Sequence, residues 1–388
     1  MRPLHLHIVL STFNHVSFTG SRLAVMLYAI HLQTSPVVIG VLAARFGLLS
    51  SATAVAFGRW IDRAGPATPM MVASGMTVAG GAVAWLWPGL ASLFVVSTLI
   101  GTFHTLFQVA TQQVAGRYGK PEDRPANFAL LSLGTSTATF SGPIIAGLGI
   151  DHLDHPTTFL LLAAFAFVPI PFLALGRLAF PPAPAKKPGR EEATGKGNLW
   201  SLMRDPTLRR LYIVATLNNT VWSVVTFLIP LYGSQIGLSA TRIGALMASF
   251  ATGTVLIRVA MQYLVRRFRP WQMVLVAQSV IASAFFGIPL TETYALLIAW
   301  TFWMGLGLGV TGPMSMSLMY DASPPDRAGE VVGLRISLAN LCATAVPIVS
   351  GVVGAAFGVA PVFWVTAAAL FSNAYANRRE LRLSSPPP

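Results

Sequence analysis

The sequence predicts an all-helical integral membrane protein in which twelve transmembrane helices form two halves of six. Three observations lead to this prediction: the composition, the number of long apolar segments and the positions of the basic residues. Of the 388 residues, 54% are apolar and only 10% are charged, whereas a typical soluble domain has about 25% charged residues. Composition therefore excludes a water-soluble enzyme and a disordered chain, and it indicates a protein that is solvated by lipid.

The apolar segments set the number of helices. A helix that crosses the bilayer needs about 20 mainly apolar residues, because each residue rises about 1.5 Å and the hydrocarbon core is about 30 Å thick. Continuous runs favour helices over the alternating strands of a barrel. Twelve such windows occur, at residues 4–30, 37–59, 69–88, 91–115, 127–150, 157–178, 210–233, 241–264, 270–289, 294–318, 330–353 and 358–376.

The basic residues set the orientation. Loops on the side of the N-terminus hold 21 of the 26 Lys and Arg residues, and the opposite loops hold none. By the positive-inside rule both termini are predicted to be cytoplasmic. The net charge of +13 is therefore a signal of topology and does not indicate a nucleic-acid partner. The expected partners are the lipid bilayer and a small-molecule substrate, and we expect a monomer.

The chain divides into two similar parts. A segment rich in Pro, Gly and charge, residues 179–209, is predicted to be a cytoplasmic linker with a short helix near Leu199–Met203. It separates an N-terminal half, 1–178, from a C-terminal half, 210–388, which ends in a short cytoplasmic tail. An offset of 204 residues pairs Asn14 with Asn218 and Gly101 with Gly305. Parallel six-helix repeats are typical of secondary transporters that hold the substrate between the halves.

A loop motif makes this prediction more specific. The turn after the second window reads Gly58-Arg59-Trp60-Ile61-Asp62-Arg63-Ala64-Gly65. It resembles the loop signature of the major facilitator superfamily, G-x-x-x-D-R-x-G. The segment Gly142-Pro143-Ile144-Ile145-Ala146-Gly147 resembles part of a second signature, which is common in the exporters of that superfamily. The resemblance implies a bacterial, exporter-like permease in a single polypeptide, located in the cytoplasmic (inner) membrane.

The same resemblance implies a gate. In the superfamily the aspartate of the loop signature engages the start of the eleventh helix, which would place Asp62 near residues 327–330. Gating roles are therefore implied for Gly58, Asp62, Arg63 and Gly65. The second-half copy of the signature, residues 262–269, has Arg266 where the first half has its aspartate.

Polar side chains recur at helical spacing on the first, fourth and seventh windows, and the helices at these positions line the central cavity in the superfamily. Polar residues inside a membrane helix mark the protein interior or a water-filled cavity. Packing between helices, or a bond to the helix's own backbone, is the alternative for an individual hydroxyl. From these stripes we expect the substrate to contact Asn14, His15, His104, Gln108, Asn219 and Ser223.

Arginines within the windows point to the charge of the cargo. Arg22, Arg45, Arg242, Arg258 and Arg335 lie inside a window or at its edge, whereas all 13 acids lie in loops or within a turn of a window's end. A central arginine costs at least about 2.5–3.5 kcal/mol in lipid, so the deeper ones must face other helices or water. Because a guanidinium binds carboxylate or phosphate bidentately, we expect an electropositive cavity and an anionic cargo. Arg22 and Arg45 are the predicted ligands, with a structural bond as the alternative for Arg45. Arg258 and Arg335 are predicted to act in gating, and Arg242 is predicted to lie at the membrane interface.

Proton coupling would depend on histidine. With no carboxylate expected in the cavity, His15 and His104 are the candidate proton-coupling groups, although each could instead be a structural, hydrogen-bonded histidine. Symport, antiport, exchange for a counter-anion and facilitated diffusion all stay open. A proton-coupled multidrug or metabolite efflux pump of broad specificity is the alternative function, although sites for lipophilic cations use buried acids that this sequence lacks.

A membrane-embedded transferase is the remote alternative. It would need a clustered nucleophile, base or metal set, and the segment Asp151-His152-Leu153-Asp154-His155 is the one cluster of that kind in the sequence. A hydrated turn explains this segment better than a metal site does. No nucleotide-binding or metal-binding motif appears in the sequence. We therefore expect no enzyme activity, no cofactor and no metal, with transport driven by gradients.

Overall fold

Helices account for nearly all of the described chain. The structure, a computed structural model, describes residues 3–119, 124–176, 178, 180, 199–323 and 328–379. The first half contains α1 (Pro3–His31), α2 (Pro36–Ala64), α3 (Ala67–Leu86), α4 (Leu90–Arg117), α5 (Arg124–His152), α6 (His155–Phe167) and α7 (Pro169–Ala174). The second half contains α8 (Leu199–Arg204), α9 (Pro206–Gln235), α10 (Ala240–Leu264), α11 (Pro270–Gly287), α12 (Tyr294–Ala322), α13 (Ala328–Phe357) and α14 (Ala360–Ala376), and a short 3-10 turn, Ile288–Leu290, extends α11.

The long helices coincide with the twelve predicted windows. The sixth window is divided into α6 and α7 at Val168, because Pro169 has no backbone N–H to continue the helix. Within the described residues, eight of the spans are long and apolar enough to cross a membrane by length and composition alone. The fold class is therefore the predicted all-helical membrane fold, and the helices are consistent with twelve crossings. Most of the predicted linker lies outside the described residues, and α8 forms its short helix.

Side-chain caps explain where several helices begin. Ser35 precedes Pro36 at the start of α2, and its hydroxyl accepts a hydrogen bond from the Val38 N–H at 3.4 Å. Asp154 caps α6 by accepting from the Thr157 N–H at 2.6 Å. These oxygens satisfy backbone donors that have no partner within the first turn of a helix.

The chain divides into two compact units. Unit 1 is formed by Met1–Ala185 together with Ile229–Ala248, and unit 2 by Lys186–Leu228 together with Ser249–Pro388. The end of α9 and the start of α10 therefore belong to unit 1. Within unit 1, α1 packs against α4, α5 and α6, while α3 packs against α4 and α6. In unit 2, α11 packs against α12 and α14.

Two close helix contacts repeat the predicted internal offset. Gly101 of α4 packs against the backbone of Phe46 on α2, where an added Cβ atom would lie 2.6 Å from the Phe46 Cα. Gly305 of α12 packs in the same way against Phe250 on α10, where a Cβ would lie 3.0 Å from the Phe250 carbonyl carbon. Both members of the second pair are displaced by 204 residues from those of the first. Each unit therefore contains the same glycine-mediated contact between its helices.

Candidate functional site

A small polar cavity lies inside unit 1, among helices α1, α4 and α5. Its volume is about 40 Å³, slightly more than one water molecule occupies and far below the roughly 300–1,000 Å³ of a ligand pocket. It can therefore form one wall of a substrate site but cannot enclose an organic solute. The described residues that line it are Ser11, Thr12, His15, His104, Phe107, Gln108, Thr111, Gln112, Leu131 and Thr135.

Helical periodicity explains why these side chains converge. On α1, Ser11 and His15 are four residues apart and therefore lie on one face. On α4, His104 is followed by Gln108 and Gln112 at the same interval. Because α1 and α4 are in contact, their two polar faces meet. The cavity thus joins the polar stripes of the first and fourth predicted windows.

A hydrogen-bonded histidine pair lies at this cavity. The Nδ1 atom of His15 lies 3.1 Å from the Nε2 atom of His104. On its other side, Nδ1 of His104 lies 3.3 Å from Oδ1 of Asn14. The Asn14 amide nitrogen donates to the hydroxyl of Ser74 on α3 at 3.4 Å. The ring of Phe18 stacks on His104 with 3.9 Å between ring centroids. Four groups from three helices therefore form one continuous chain of hydrogen bonds.

The pattern of contacts restricts the proton positions on this chain. If a neutral His104 donates its Nδ1–H to Asn14, its Nε2 accepts a hydrogen bond from the Nδ1–H of His15. In that arrangement both imidazoles are neutral, and Nε2 of His15 is the ring nitrogen that is left to take up a further proton. Reversing the Asn14 amide would reverse the direction of every donor along the chain. A proton bound here is thus held by the pair as a unit.

The cavity has a neutral lining. Among the described residues that line it, none is Asp, Glu, Lys or Arg. A proton added to the pair would therefore place a positive charge beside a cavity in which no carboxylate of the described lining compensates it. An anionic group of a solute that lay against this wall would supply the missing negative charge.

The two arginines that were predicted as ligands do not line this cavity. The Arg45 Nε donates to the Thr98 hydroxyl at 2.9 Å, and the Arg45 guanidinium lies 5.4 Å from the centroid of the Phe94 ring. Both partners belong to α4, so this contact corresponds to the structural alternative for Arg45. Arg22 lies on α1 seven residues beyond His15, about 10 Å along the helix axis.

In unit 2 the predicted site residues lie on three helices, α9, α10 and α13. The Asn219 amide donates to the Ala215 carbonyl of its own helix at 2.8 Å, and Ser223 is buried in the same helix. Arg258 is exposed on α10, whereas Arg335 is half-buried on α13. The structure therefore brings Asn14, His15, His104 and Gln108 together in unit 1, and in unit 2 it places Asn219 and Ser223 on one face of α9.

The sequence reasoning missed a contact that the internal repeat could have revealed. Asn218 of α9 is the repeat counterpart of Asn14, and its side-chain oxygen accepts a hydrogen bond from the Thr311 hydroxyl on α12. This contact joins α9 to α12 as the Asn14–His104 contact joins α1 to α4, although Thr311 is the repeat counterpart of Phe107 and not of His104. Ser74 was missed for another reason, since it lies in a window with no polar stripe.

The gate predicted from the loop signature is described only in part. Gly65 ends α2 with a φ of +73°, a conformation that favours glycine. Arg63 is exposed, and no atom lies within 4 Å of a Cβ built on Gly58. The Asp62 side chain lies outside the described part of the structure. Of its predicted partners at 327–330, the structure describes only the helical backbone from residue 328 onwards.

Two segments singled out in the sequence, the partial second signature at 142–147 and the segment at 151–155, both contact the start of α10. A Cβ on Gly147 would lie 2.9 Å from the Ala240 carbonyl carbon. The Asp151 carboxylate accepts from the backbone N–H groups of Ala240 at 3.1 Å and Thr241 at 2.8 Å. Asp151 and Asp154 thus cap helices. Within the described part of the chain, no group of three or more His, Cys, Asp or Glu is arranged to hold a metal ion.

Comparison with known proteins identifies the fold. The family model of the Major Facilitator Superfamily matches residues 8–347. No curated protein matches the sequence significantly. Among solved structures, a bacterial homolog of the human lysosomal transporter Spinster, inward-facing and unoccupied, has a TM-score of 0.74 at 14% identity over 97% of each chain.

Two other solved structures share this fold. A mutant of the nucleoside transporter NupG has a TM-score of 0.81 at 12% identity, over 96% of this chain and 98% of its own. A mutant of the peptide transporter POT in complex with sulfate has a TM-score of 0.80 at 14% identity, over 98% of this chain and 94% of its own. At these identities the similarity is one of fold.

Proposed function

The chain belongs to the major facilitator superfamily, and on this premise we propose that it is a secondary transporter for a small organic solute that bears an anionic group. It works by alternating access between its two halves. Binding of the anion is linked to protonation of the His15–His104 pair. The fold is that of transporters for peptides and nucleosides, so a transport function and not catalysis is the starting point.

The observation that carries the proposal is the histidine pair beside an uncharged cavity. The two rings are hydrogen-bonded at 3.1 Å, and the lining of the cavity holds no carboxylate among its described residues. A proton on the pair therefore attracts an anion, and a bound anion raises the affinity of the pair for a proton. Thermodynamic linkage makes these two effects equal in size.

Charges elsewhere in the spans support an anionic cargo. The sequence places arginines, but no acids, in the interior of its transmembrane windows. Arg22 lies on the same helix as His15, about 10 Å along its axis. A guanidinium binds carboxylate or phosphate bidentately, so the excess of arginines over acids within the spans favours an anionic cargo.

A broad-specificity efflux pump makes a different prediction. A pump for lipophilic cations needs buried acids facing its substrate, and it would bind cations more weakly at acid pH because protons compete with them. The proposed transporter binds anions more tightly at acid pH. The sign of the pH dependence therefore separates the two functions.

The test is a binding screen with the purified full-length protein. Organic anions, neutral solutes and lipophilic cations are compared by thermal shift between about pH 4 and about pH 8, which includes the range in which an unperturbed histidine changes charge. We expect anions to stabilise the protein, with an affinity that rises by up to about tenfold for each unit of pH decrease if one proton is bound.

Two variants give the test its controls. His104→Gln should remove the pH dependence of anion binding, whereas His5→Gln, which changes an exposed histidine on the same helix as His15, should leave it unchanged. If no anion binds at any pH, or if His104→Gln keeps the full pH dependence, the proposed linkage is wrong.

A further inference from the structure

An elongated apolar groove runs along the exposed side of unit 2, between α11 and α14. Two cavities of about 510 Å³ and 460 Å³ form it, and they share Ser283 and Phe371 in their walls. Its surface is made mainly by large apolar side chains that are well exposed, among them Val276 at 59% and Tyr375 at 67%. The groove is separate from the histidine cavity, which belongs to unit 1.

The two serine hydroxyls that line the groove are already hydrogen-bonded within the protein. The Ser279 hydroxyl donates to the Leu275 carbonyl at 3.1 Å. The Ser283 hydroxyl donates to the Val280 carbonyl at 2.8 Å and accepts from the Trp303 indole N–H at 3.2 Å. The groove therefore offers an occupant a surface of hydrocarbon.

The groove is long enough to hold a lipid tail over the full depth of one leaflet. Along α11 it extends from Leu275 to Leu290, about 22 Å at 1.5 Å per residue. One leaflet of a bilayer contributes about 15 Å of hydrocarbon, half of the full thickness. An acyl chain that entered from one end would therefore remain within the groove over its whole depth in the leaflet.

One end of the groove is strongly basic. Gln278 bonds to Asn373 at 2.8 Å, and Phe285 lies 5.7 Å from Phe363. The two helices are therefore antiparallel, and the end of α14 meets the start of α11. The basic residues at this end are Arg266, Arg267 and Arg269 before α11 and Arg378 and Arg379 after α14. No acid occurs among the described residues of the two segments, 265–270 and 376–379.

Arg378 is oriented by the wall of the groove. Its guanidinium lies 3.6 Å from the centroid of the Tyr375 ring, and its Nη1 donates to the Tyr375 carbonyl at 3.0 Å. Tyr375 is itself a lining residue. The Arg378 guanidinium is thereby held at the rim of the groove, where the phosphate of a lipid would lie if its tail occupied the groove.

We propose that this groove binds an anionic phospholipid, with an acyl chain along α11 and α14 and the phosphate at Arg378 and Arg379. A ligand with an apolar tail and an anionic group at one end complements a groove that is apolar along its length and basic at one end. Guanidinium groups bind phosphate bidentately, and clustered basic residues beside a membrane helix attract anionic lipids. The site is independent of the transported solute.

The experiment compares two phospholipids with identical acyl chains, phosphatidylglycerol and phosphatidylcholine. Binding to the purified full-length protein is measured by native mass spectrometry, and stabilisation by thermal shift. We expect phosphatidylglycerol to bind more tightly, and the double variant Arg378→Gln with Arg379→Gln to lose about fivefold of this preference for each arginine removed. Arg209→Gln, which changes an exposed arginine at the start of α9, should leave the preference unchanged.

A second pair of variants tests the tail. Ala374→Trp fills the groove and should weaken binding of both phospholipids, whereas Ala368→Trp, on the same helix but outside the groove, should not. Equal binding of the two phospholipids to the unchanged protein would overturn the proposal, as would full retention of the preference in the arginine double variant. It would also be overturned if inorganic phosphate alone gave the same stabilisation, since the site would then bind a free anion.

Discussion

Replacing Gly101 or Gly305 with alanine should destabilise the protein, because neither position has room for a Cβ atom. In both cases the added carbon would meet the backbone of the neighbouring helix at less than 3.0 Å. Backbone cannot rotate away as a flexible side chain can, so the two helices would have to move apart. Each substitution therefore tests a close helix contact of the fold.

The size of the effect follows from two opposing terms. Overpacking by a single methyl group costs about 1–3 kcal/mol. Alanine favours a helix over glycine by about 1 kcal/mol, which offsets part of that cost. We therefore expect a net loss of about 0–2 kcal/mol in the free energy of unfolding at both sites. Since Gly101 and Gly305 are repeat counterparts, the two losses should be similar.

Gly312→Ala supplies the control. This residue lies in the same helix as Gly305, and no atom lies within 4 Å of its added Cβ. Only the favourable term then applies, so this variant should be up to about 1 kcal/mol more stable than the unchanged protein. Unfolding of the purified proteins in detergent, followed by circular dichroism, measures all three. If Gly305→Ala were as stable as Gly312→Ala, the close contact between α10 and α12 would be refuted.

Three further predictions concern hydrogen bonds at named sites. Asp151→Ala should lower the free energy of unfolding by about 0.5–1 kcal/mol, because the first turn of α10 loses its two carboxylate hydrogen bonds. Hydrogen exchange of the backbone amides in that turn should become faster, and unchanged exchange would show that the cap is unimportant. Arg45→Lys should lower the thermal stability through loss of the Nε bond to Thr98 while leaving anion binding intact; loss of anion binding without loss of stability would make Arg45 a ligand. Asn14→Leu should cost about 1–3 kcal/mol, because the buried Nδ1 of His104 loses its partner. The same variant should also alter the pH dependence of anion binding, and an unchanged pH profile would separate Asn14 from the proton chain.

The contacts of the candidate site that the sequence could not predict are those between residues far apart in the chain. The stripes on α1 and α4 were recognisable because side chains four residues apart share a helix face. The bond between His15 and His104 joins residues 89 positions apart in the chain. It depends on how far each helix is rotated about its own axis, which is set by packing of α1 against α5 and α6 and of α4 against α2 and α3. For the same reason the sequence could place Arg45 inside a span, but it could not predict that the partner of Arg45 is Thr98 on α4.

Composition and apolar run length by themselves determined that this protein is an all-helical membrane protein, because a backbone in hydrocarbon must satisfy its own hydrogen bonds and a fixed rise per residue must match a fixed bilayer thickness. The repeat and the loop signature determined the family, since both are written in local sequence. Tertiary structure alone decided that two histidines share a proton chain, that Arg45 bonds to a neighbouring helix, and that α11 and α14 leave a groove with a basic end. Each of these depends on the relative rotation and separation of helices, which many residues set together and no single segment encodes.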